Sequence, residues 1–437
     1  MKKVIAYLSQ EVSGISLSIF RISFGIILFL QSLYWFIIGF IQNNIIEPTF
    51  LFPFIKGLEP LSEPLMNFGL NGLLLISPIL IISNKFHRTG LVIYLCSFSY
   101  LWLLCQGYFN NHYYLISIIC LLLSFTKTPF SKSEKIKIPK LHLYSLQGLI
   151  IIVYFIAGIN KLNPYWLIDI QPMTYILSEA GLEKTSLFIP FFSYLGLFFD
   201  LLIGPILIIK KTRFFGLISS FLFHLFNFFI FLLIGGEIGF FPFLMISTLI
   251  LFIDPINIEK RILKNNARLL YRQQFNKVVA YFFLVFFFFQ IIIPFRHILF
   301  KGYVDYNGIG QRFSWRLKNM YKEPKTNGLI EFTVLTLNND TVSTFNLFNI
   351  EKANITLTDR QKTNLIYYPN MIPVFAKKTE KYFQEIINNN EFNFIIKGNC
   401  EIGFMGGEST FLFNSQLDLT KITTSTYKTN TWLNRLK

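Results

Sequence analysis

The sequence predicts a multi-pass α-helical membrane protein of about nine spans, followed by a C-terminal extramembrane α+β domain that is β-rich and sandwich-like. Three observations predict it. Of 437 residues, 53% are hydrophobic and only 15% charged, too apolar a balance for a soluble chain of this size. Apolar runs near twenty residues long recur, the length a helix needs to cross a bilayer's hydrocarbon. From about His297 the composition turns polar, rich in Asn, Thr and Lys, and apolar residues begin to alternate as in strands.

Apolar runs read against their breakers place spans near residues 15–41, 70–83, 90–106, 113–126, 145–160, 191–209, 214–234, 238–253 and 278–296. Two intervening stretches, Pro48 to Phe68 and Met173 to Pro190, mix aromatics with Pro, Glu and Ser and read as interfacial helices or lids. The membrane part is therefore 1–297 and the outer part 298–437. Within the latter, 329–337, 343–350, 392–398 and 409–419 alternate like strands. Thr358 to Ile366 and Met371 to Ile387 read as helices, the first opened by a Thr-Asp cap.

Charge sets the expected orientation. With the N-terminus cytoplasmic, the inner segments hold eighteen Lys and Arg residues, and the outer segments before the final span hold three, Lys56, Lys161 and Lys184. That bias is the positive-inside pattern, so the net charge of +16 speaks for membrane topology and not for nucleic acid. The same alternation puts Asn110 to His112, Lys161, the Gly235-Gly236-Glu237 corner and the C-terminal domain together on the extracytoplasmic face. No CxxC, HExxH, GxxxxGK[ST] or clustered Cys and His occurs, so no metal site is expected. The start, MKKVIAYLSQEVSG, lacks a cleavable signal pattern, so the first span is expected to remain as an anchor.

Ionisable groups in apolar spans are costly and therefore functional candidates; Arg21, Asp200 and His224 qualify. Lys161 stands out in YFIAGINKLNPYW (154–166), at an apolar helix end with no acid along the chain until Asp169. A desolvated lysine without a carboxylate favours the neutral amine, which is a base; the plainer reading is a lysine snorkelling to the interface.

Eight segments in order then resemble the vitamin K-dependent γ-carboxylase family, in particular bacterial members carrying the HTTM membrane module. They are FRISFG at Arg21, NNHYYL (110–115), YFIAGINKLNPYW, the Asp200 segment, FHLFN (223–227) with IGFFPFLM (238–245), RHILFKGY (296–303), RFSWR (312–316), and LTDRQ with PNMIPVFA. The resemblance implies a multi-pass enzyme of the bacterial inner membrane that couples epoxidation of a vitamin K hydroquinone of menaquinol type to carboxylation of glutamate in a peptide. O2 and CO2 are its co-substrates. It implies Lys161 as the base, with His112 and Asn111 in catalysis, and Asn110, Arg21, His224, Phe313 and Trp315 holding the quinol. The chain departs from the pattern at Asn160, where animal members have a second basic residue, and in the added Gly235-Gly236-Glu237.

The chemistry asks for such a place. A glutamate γ-proton is too weakly acidic for any side chain, so a stronger base must be generated where water cannot quench it. A neutral lysine starts the sequence and Asn or His donors stabilise developing charge. Two other readings fit the same residues: a quinol epoxidase or oxidoreductase without carboxylation, and a non-enzymatic transporter or scaffold displaying the outer domain. The absence of an internal repeat counts against a transporter.

Overall fold

The computed structural model describes residues 2–235, 238–264, 266–317, 319–325, 329–423 and 431–436. Gly236 and Glu237 of the expected corner lie outside these residues. The membrane part contains α1 (Lys2–Leu8), α2 (Ile15–Ile37), α3 (Asn71–Ile82), α4 (His87–Leu103), α5 (Asn111–Ser124), α6 (Lys140–Asn160), α7 (Pro164–Leu167), α8 (Met173–Glu179), α9 (Phe188–Ile208), α10 (Arg213–Leu233), α11 (Phe241–Thr248), α12 (Pro255–Ile262) and α13 (Lys277–Ile292).

Six of these helical stretches are long and apolar enough to cross a membrane, or seven if the bent pair of 241–252 with α12 is one span. The expected count of nine is not confirmed. The shortfall is one of length: α4 has 17 residues and α5 has 14, below the ~20 that a full crossing needs. α5 is also largely buried by its neighbours, with Leu115, Ile116, Ile118 and Ile119 inside the bundle.

The helices approach closely where a side chain is missing. A Cβ on Gly90 of α4 would lie 2.6 Å from the Ser77 carbonyl of α3, and one on Gly158 of α6 would lie 2.9 Å from the Leu201 backbone nitrogen of α9. Small residues at such crossings let dispersion contacts form between backbones, the main packing force available in lipid. The second crossing fixes which residues of α9 reach the end of α6.

At one end of the bundle β1 (Glu11–Ser13), β2 (Glu134–Pro139) and β3 (Arg268–Arg272) form a small sheet in that order, with β1 antiparallel and β3 parallel to β2. The C-terminal domain covers the other end. It holds α14 (Val304–Asn307), β4 (Lys322–Pro324), β5 (Glu331–Leu335), β6 (Thr341–Asn346), α15 (Asp359–Tyr367), α16 (Ile372–Ile386), β7 (Ile395–Asn399), β8 (Glu401–Phe404) and β9 (Ser409–Phe411). The strands form two antiparallel sheets, ordered β6-β5-β7 and β4-β8-β9. Phe375 of α16 packs on Phe332 of β5 with ring centroids 4.9 Å apart, so a helix covers the first sheet. Thr358 and Gln361 close a capping box at the start of α15, as the Thr-Asp signal predicts.

Polar contacts seat this domain on the bundle. Thr358 Oγ1 lies 2.6 Å from Tyr108 Oη, Asn364 Nδ2 donates to Gly107 O at 2.8 Å, and Arg312 donates to Gln106 Oε1 at 2.6 Å. Asn160, the last residue of α6, donates to Ser314 O at 2.8 Å. Each partner is half-buried or deeper, so the junction is a fixed surface and not a tether.

Candidate functional site

A cavity of about 790 Å³ lies beneath the domain junction, walled by α6, α9, α10 and α11 and roofed by residues of the C-terminal domain. Lys161 reaches it because α6 ends there. The Lys161 backbone N–H closes the helix on Gly158 O at 3.0 Å, which sends the side chain across to α9. Its Nζ donates to Asp200 Oδ2 at 2.6 Å, with both residues almost fully buried, at 6% and 4% exposure. The Nζ also sits 4.7 Å from the Trp166 ring centroid. Trp166 is itself fixed by Asn163 Oδ1, which accepts from its backbone N–H at 3.1 Å, and by its indole N–H donating to Ser193 O at 3.2 Å.

This corrects the expectation of a lysine without an acid. The carboxylate comes from 39 residues away, carried to the end of α6 by the Gly158 crossing. A buried Lys-Asp pair holds one proton between two groups, and the low dielectric makes the ionic and neutral forms closer in energy than they are in water. The pair faces an apolar space.

The other expected residues divide into two groups. Asn110, Asn111, His112 and His224 line the same cavity as Lys161. Asn110 caps α5, accepting from Tyr113 N at 2.8 Å. Asn111 donates to Arg316 O at 3.2 Å, while its buried Oδ1 has no partner among the described residues. The His112 ring stacks flat on Phe241, centroids 3.6 Å apart and planes 6° apart. His224 Nε2 lies 2.5 Å from Tyr154 Oη, both inside the bundle.

Arg21, Phe313 and Trp315 do not line the cavity. Arg21 is fully buried near the opposite end, where its guanidinium binds the carbonyls of Ile81, Ile82 and Ser83, Thr128 O and Asn84 Oδ1. It caps the C-terminus of α3, a position where a cation satisfies orphan carbonyls and opposes the helix dipole; a quinol-binding role is corrected to a structural one. Phe313 packs in an aromatic cluster against Phe109 at 4.6 Å and Tyr114 at 5.0 Å, and Trp315 stacks on Tyr114 at 5.2 Å. Both adopt positive φ, 61° and 53°, a costly conformation for bulky side chains. They shape the segment whose Ser314 carbonyl receives Asn160, and so act behind the cavity wall.

A family model described as the HTTM domain matches residues 9–256, and one described as the vitamin K-dependent gamma-carboxylase, lumenal domain, matches residues 275–437. The chain belongs to the vitamin K-dependent gamma-carboxylase family. No solved structure matches it. Both matched regions contribute residues to the walls of the cavity.

The sequence reading missed two cavity-lining residues of the lumenal-domain region, Arg316 and Asn319. Arg316 pairs with Asp305 at 2.6 Å and with His297 Nε2 at 3.1 Å, and its Nε has no partner among the described residues. Burial pushes the Asp305 carboxyl up to about 6, and the Arg316 guanidinium opposes that rise. Asn319 is 2% exposed and both its amide atoms lack partners among the described residues, although it lines the cavity. Tyr175 of α8 and Tyr321 stack at 3.8 Å across the rim. Arg316 lies in RFSWR and Asn319 just beyond, but no periodicity marks either as facing a cavity.

Proposed function

We propose that this protein is a γ-glutamyl carboxylase that couples epoxidation of a vitamin K-type hydroquinone to carboxylation of glutamate in a peptide. The observation that carries the reading is the buried Lys161-Asp200 pair, at 2.6 Å, in the aromatic-walled cavity between membrane helices and the lumenal-type domain.

The residues fit a hydroquinone. Flat apolar surfaces come from Phe241 with His112, from Trp166 and from Phe199 with Phe223. Asn111 Oδ1 and the Asn319 amide lack partners among the described residues: the first is available to a hydroxyl, the second to a hydroxyl or a carbonyl oxygen, and a buried polar atom is costly until it finds such a partner. When bound, the hydroquinone supplies, with O2, the strong base that a glutamate γ-C–H requires and that no side chain provides.

The chain's own residues do the rest. Shifting the proton of Lys161 along its 2.6 Å bond to Asp200 leaves an uncharged amine at the cavity edge, able to accept a phenolic proton at Nζ. The pair stays neutral overall before the transfer and becomes a cation afterwards, so charge builds only when substrate is present. His112 donates to developing oxyanions, and Asn111 Oδ1 orients the ring by accepting from a substrate hydroxyl. Phe192, Phe199, Phe223 and Phe226 keep water out. The peptide enters from the roof, where Arg316 and Asn319 face the cavity. The eighteen-to-three charge bias argues that this roof is extracytoplasmic and the N-terminus cytoplasmic, and the likeness to bacterial members argues for a bacterial inner membrane.

Incubation of purified protein with vitamin K hydroquinone, labelled bicarbonate and a Glu-containing peptide tests this. Epoxide together with labelled peptide is expected, and both are lost in Lys161→Ala. Neither product from wild type, where a known carboxylase works, refutes the reading. Epoxide without label identifies a quinol epoxidase instead.

A further inference from the structure

The cavity wall has an unusual section where α9 meets α10. Leu195 of α9 and Leu222 and Phe226 of α10 line the cavity, yet they are 49%, 55% and 37% exposed. On a membrane helix, exposure at mid-span means contact with lipid. These residues therefore border the cavity and the bilayer at once, so the wall here is a single side chain thick. The seam is bridged by two stacked aromatic pairs, Phe192 with Phe226 at 4.9 Å and Phe199 with Phe223 at 3.9 Å. Between those rungs, at Gly196, an added Cβ would find one heavy atom within 4 Å among the described residues, the Nζ of Lys161. Gly196 thus leaves space beside the lysine at this seam, and the two aromatic pairs close it on either side. The α6-α9 seam is the opposite case, closed by the Gly158-Leu201 contact.

We propose that the α9-α10 seam is a lateral portal: a ligand whose headgroup sits at Lys161 enters there and leaves a single long hydrocarbon tail lying between Leu195 and Leu222. This rests on the hydroquinone reading for the identity of the headgroup. The tail need not be fully enclosed, because lipid solvates it as well as protein does, and the Phe192-Phe226 pair has only to swing aside for the ring to pass. The same opening fits an acyl chain of a membrane phospholipid, and the test separates the two sources.

Phe192→Cys and Phe226→Cys are introduced together with Cys96→Ser, since Cys96 is exposed and the other three cysteines are buried. The protein is placed in phosphatidylcholine nanodiscs and the new pair is bridged with a short bis-thiosulfonate. Binding of a tailless naphthoquinone and of one with an isoprenoid tail is followed by quenching of tryptophan fluorescence, to which Trp166 contributes. Bridging is expected to weaken the tailed compound at least tenfold and the tailless one less than twofold, and cleaving the bridge before the quinone is added restores both. Equal loss of both compounds, or loss of neither, overturns the portal. A second measurement needs no quinone: phosphatidylcholine with a photoreactive diazirine at the acyl terminus is expected to label the Trp166 peptide in the unbridged protein and not in the bridged one. No label at Trp166 in the unbridged protein overturns the portal. Label at Trp166 with no binding of either naphthoquinone leaves the portal standing, with phospholipid as occupant, and overturns the hydroquinone reading instead.

Discussion

Replacing Asp200 with Asn should be the most damaging conservative change in the membrane part. The amide keeps the shape of the carboxylate and removes its charge, leaving Lys161 at 6% exposure with a 2.6 Å neighbour that no longer neutralises it. At that separation and an effective dielectric of 20, the lost attraction is about 6 kcal/mol before desolvation is subtracted. Breaking a buried pair from one side typically costs roughly 3–5 kcal/mol, whereas replacing both partners is nearly neutral. Asp200→Asn and Lys161→Gln should each therefore destabilise by about 3 kcal/mol or more, and the double variant by much less than the sum. The assay is a double-mutant cycle of unfolding free energies in bicelles under denaturing-detergent titration, run beside epoxide formation. Additivity within about 0.5 kcal/mol would refute a coupled pair. Full epoxidation by Asp200→Asn would refute its role in holding the lysine's proton.

Three further outcomes follow from the geometry. Gly158→Ala puts a Cβ 2.9 Å from the Leu201 nitrogen and should cost about 1–3 kcal/mol, with α9 displaced and epoxidation reduced more than peptide binding; thermal unfolding and turnover check it. Arg21→Met strips the carbonyl cap of α3 and should destabilise by roughly 2–4 kcal/mol while naphthoquinone affinity stays within twofold. Lys322, pushed down to about 7 by burial, donates to the carbonyls of Tyr306, Ile366 and Tyr367 at 2.6, 3.0 and 3.1 Å. Its amine loses a proton in the folded domain at lower pH than in the unfolded chain, so from about pH 7 to 10.5 the unfolded state binds more protons and this residue's contribution to stability rises with pH. A plot of Tm against pH should lose that rise in Lys322→Met.

Chain-local signals made much of the fold legible. The capping box at Thr358, the strand at 331–335, the first half of the one expected over 343–350, and most membrane helices depend on residues within one turn or one pleat of each other. The count of nine spans is not confirmed, because α5 is apolar along its length yet has only 14 residues and its apolar surface is largely covered by neighbouring helices. Arg21 was misread for a related reason. A buried charge in a span reads as a ligand group, and the carbonyl ends of α3 that satisfy it are sixty residues away. Strands β4 and β8 escaped notice because they are short and pair across some eighty residues.

The sequence by itself determined that the protein is membrane-embedded, which family its ordered motifs belong to, and that Lys161 and Asn110 to His112 are polar groups at apolar helix ends and His224 one inside an apolar span. Those are matters of composition and order, readable one residue after another. Which acid partners Lys161, which asparagines keep open valences, and where the cavity meets lipid were decided only when the chain closed on itself. A hydrogen bond depends on distance in space, and the crossing at Gly158 and the seating of Ser314 on Asn160 set those distances between residues that the sequence keeps far apart.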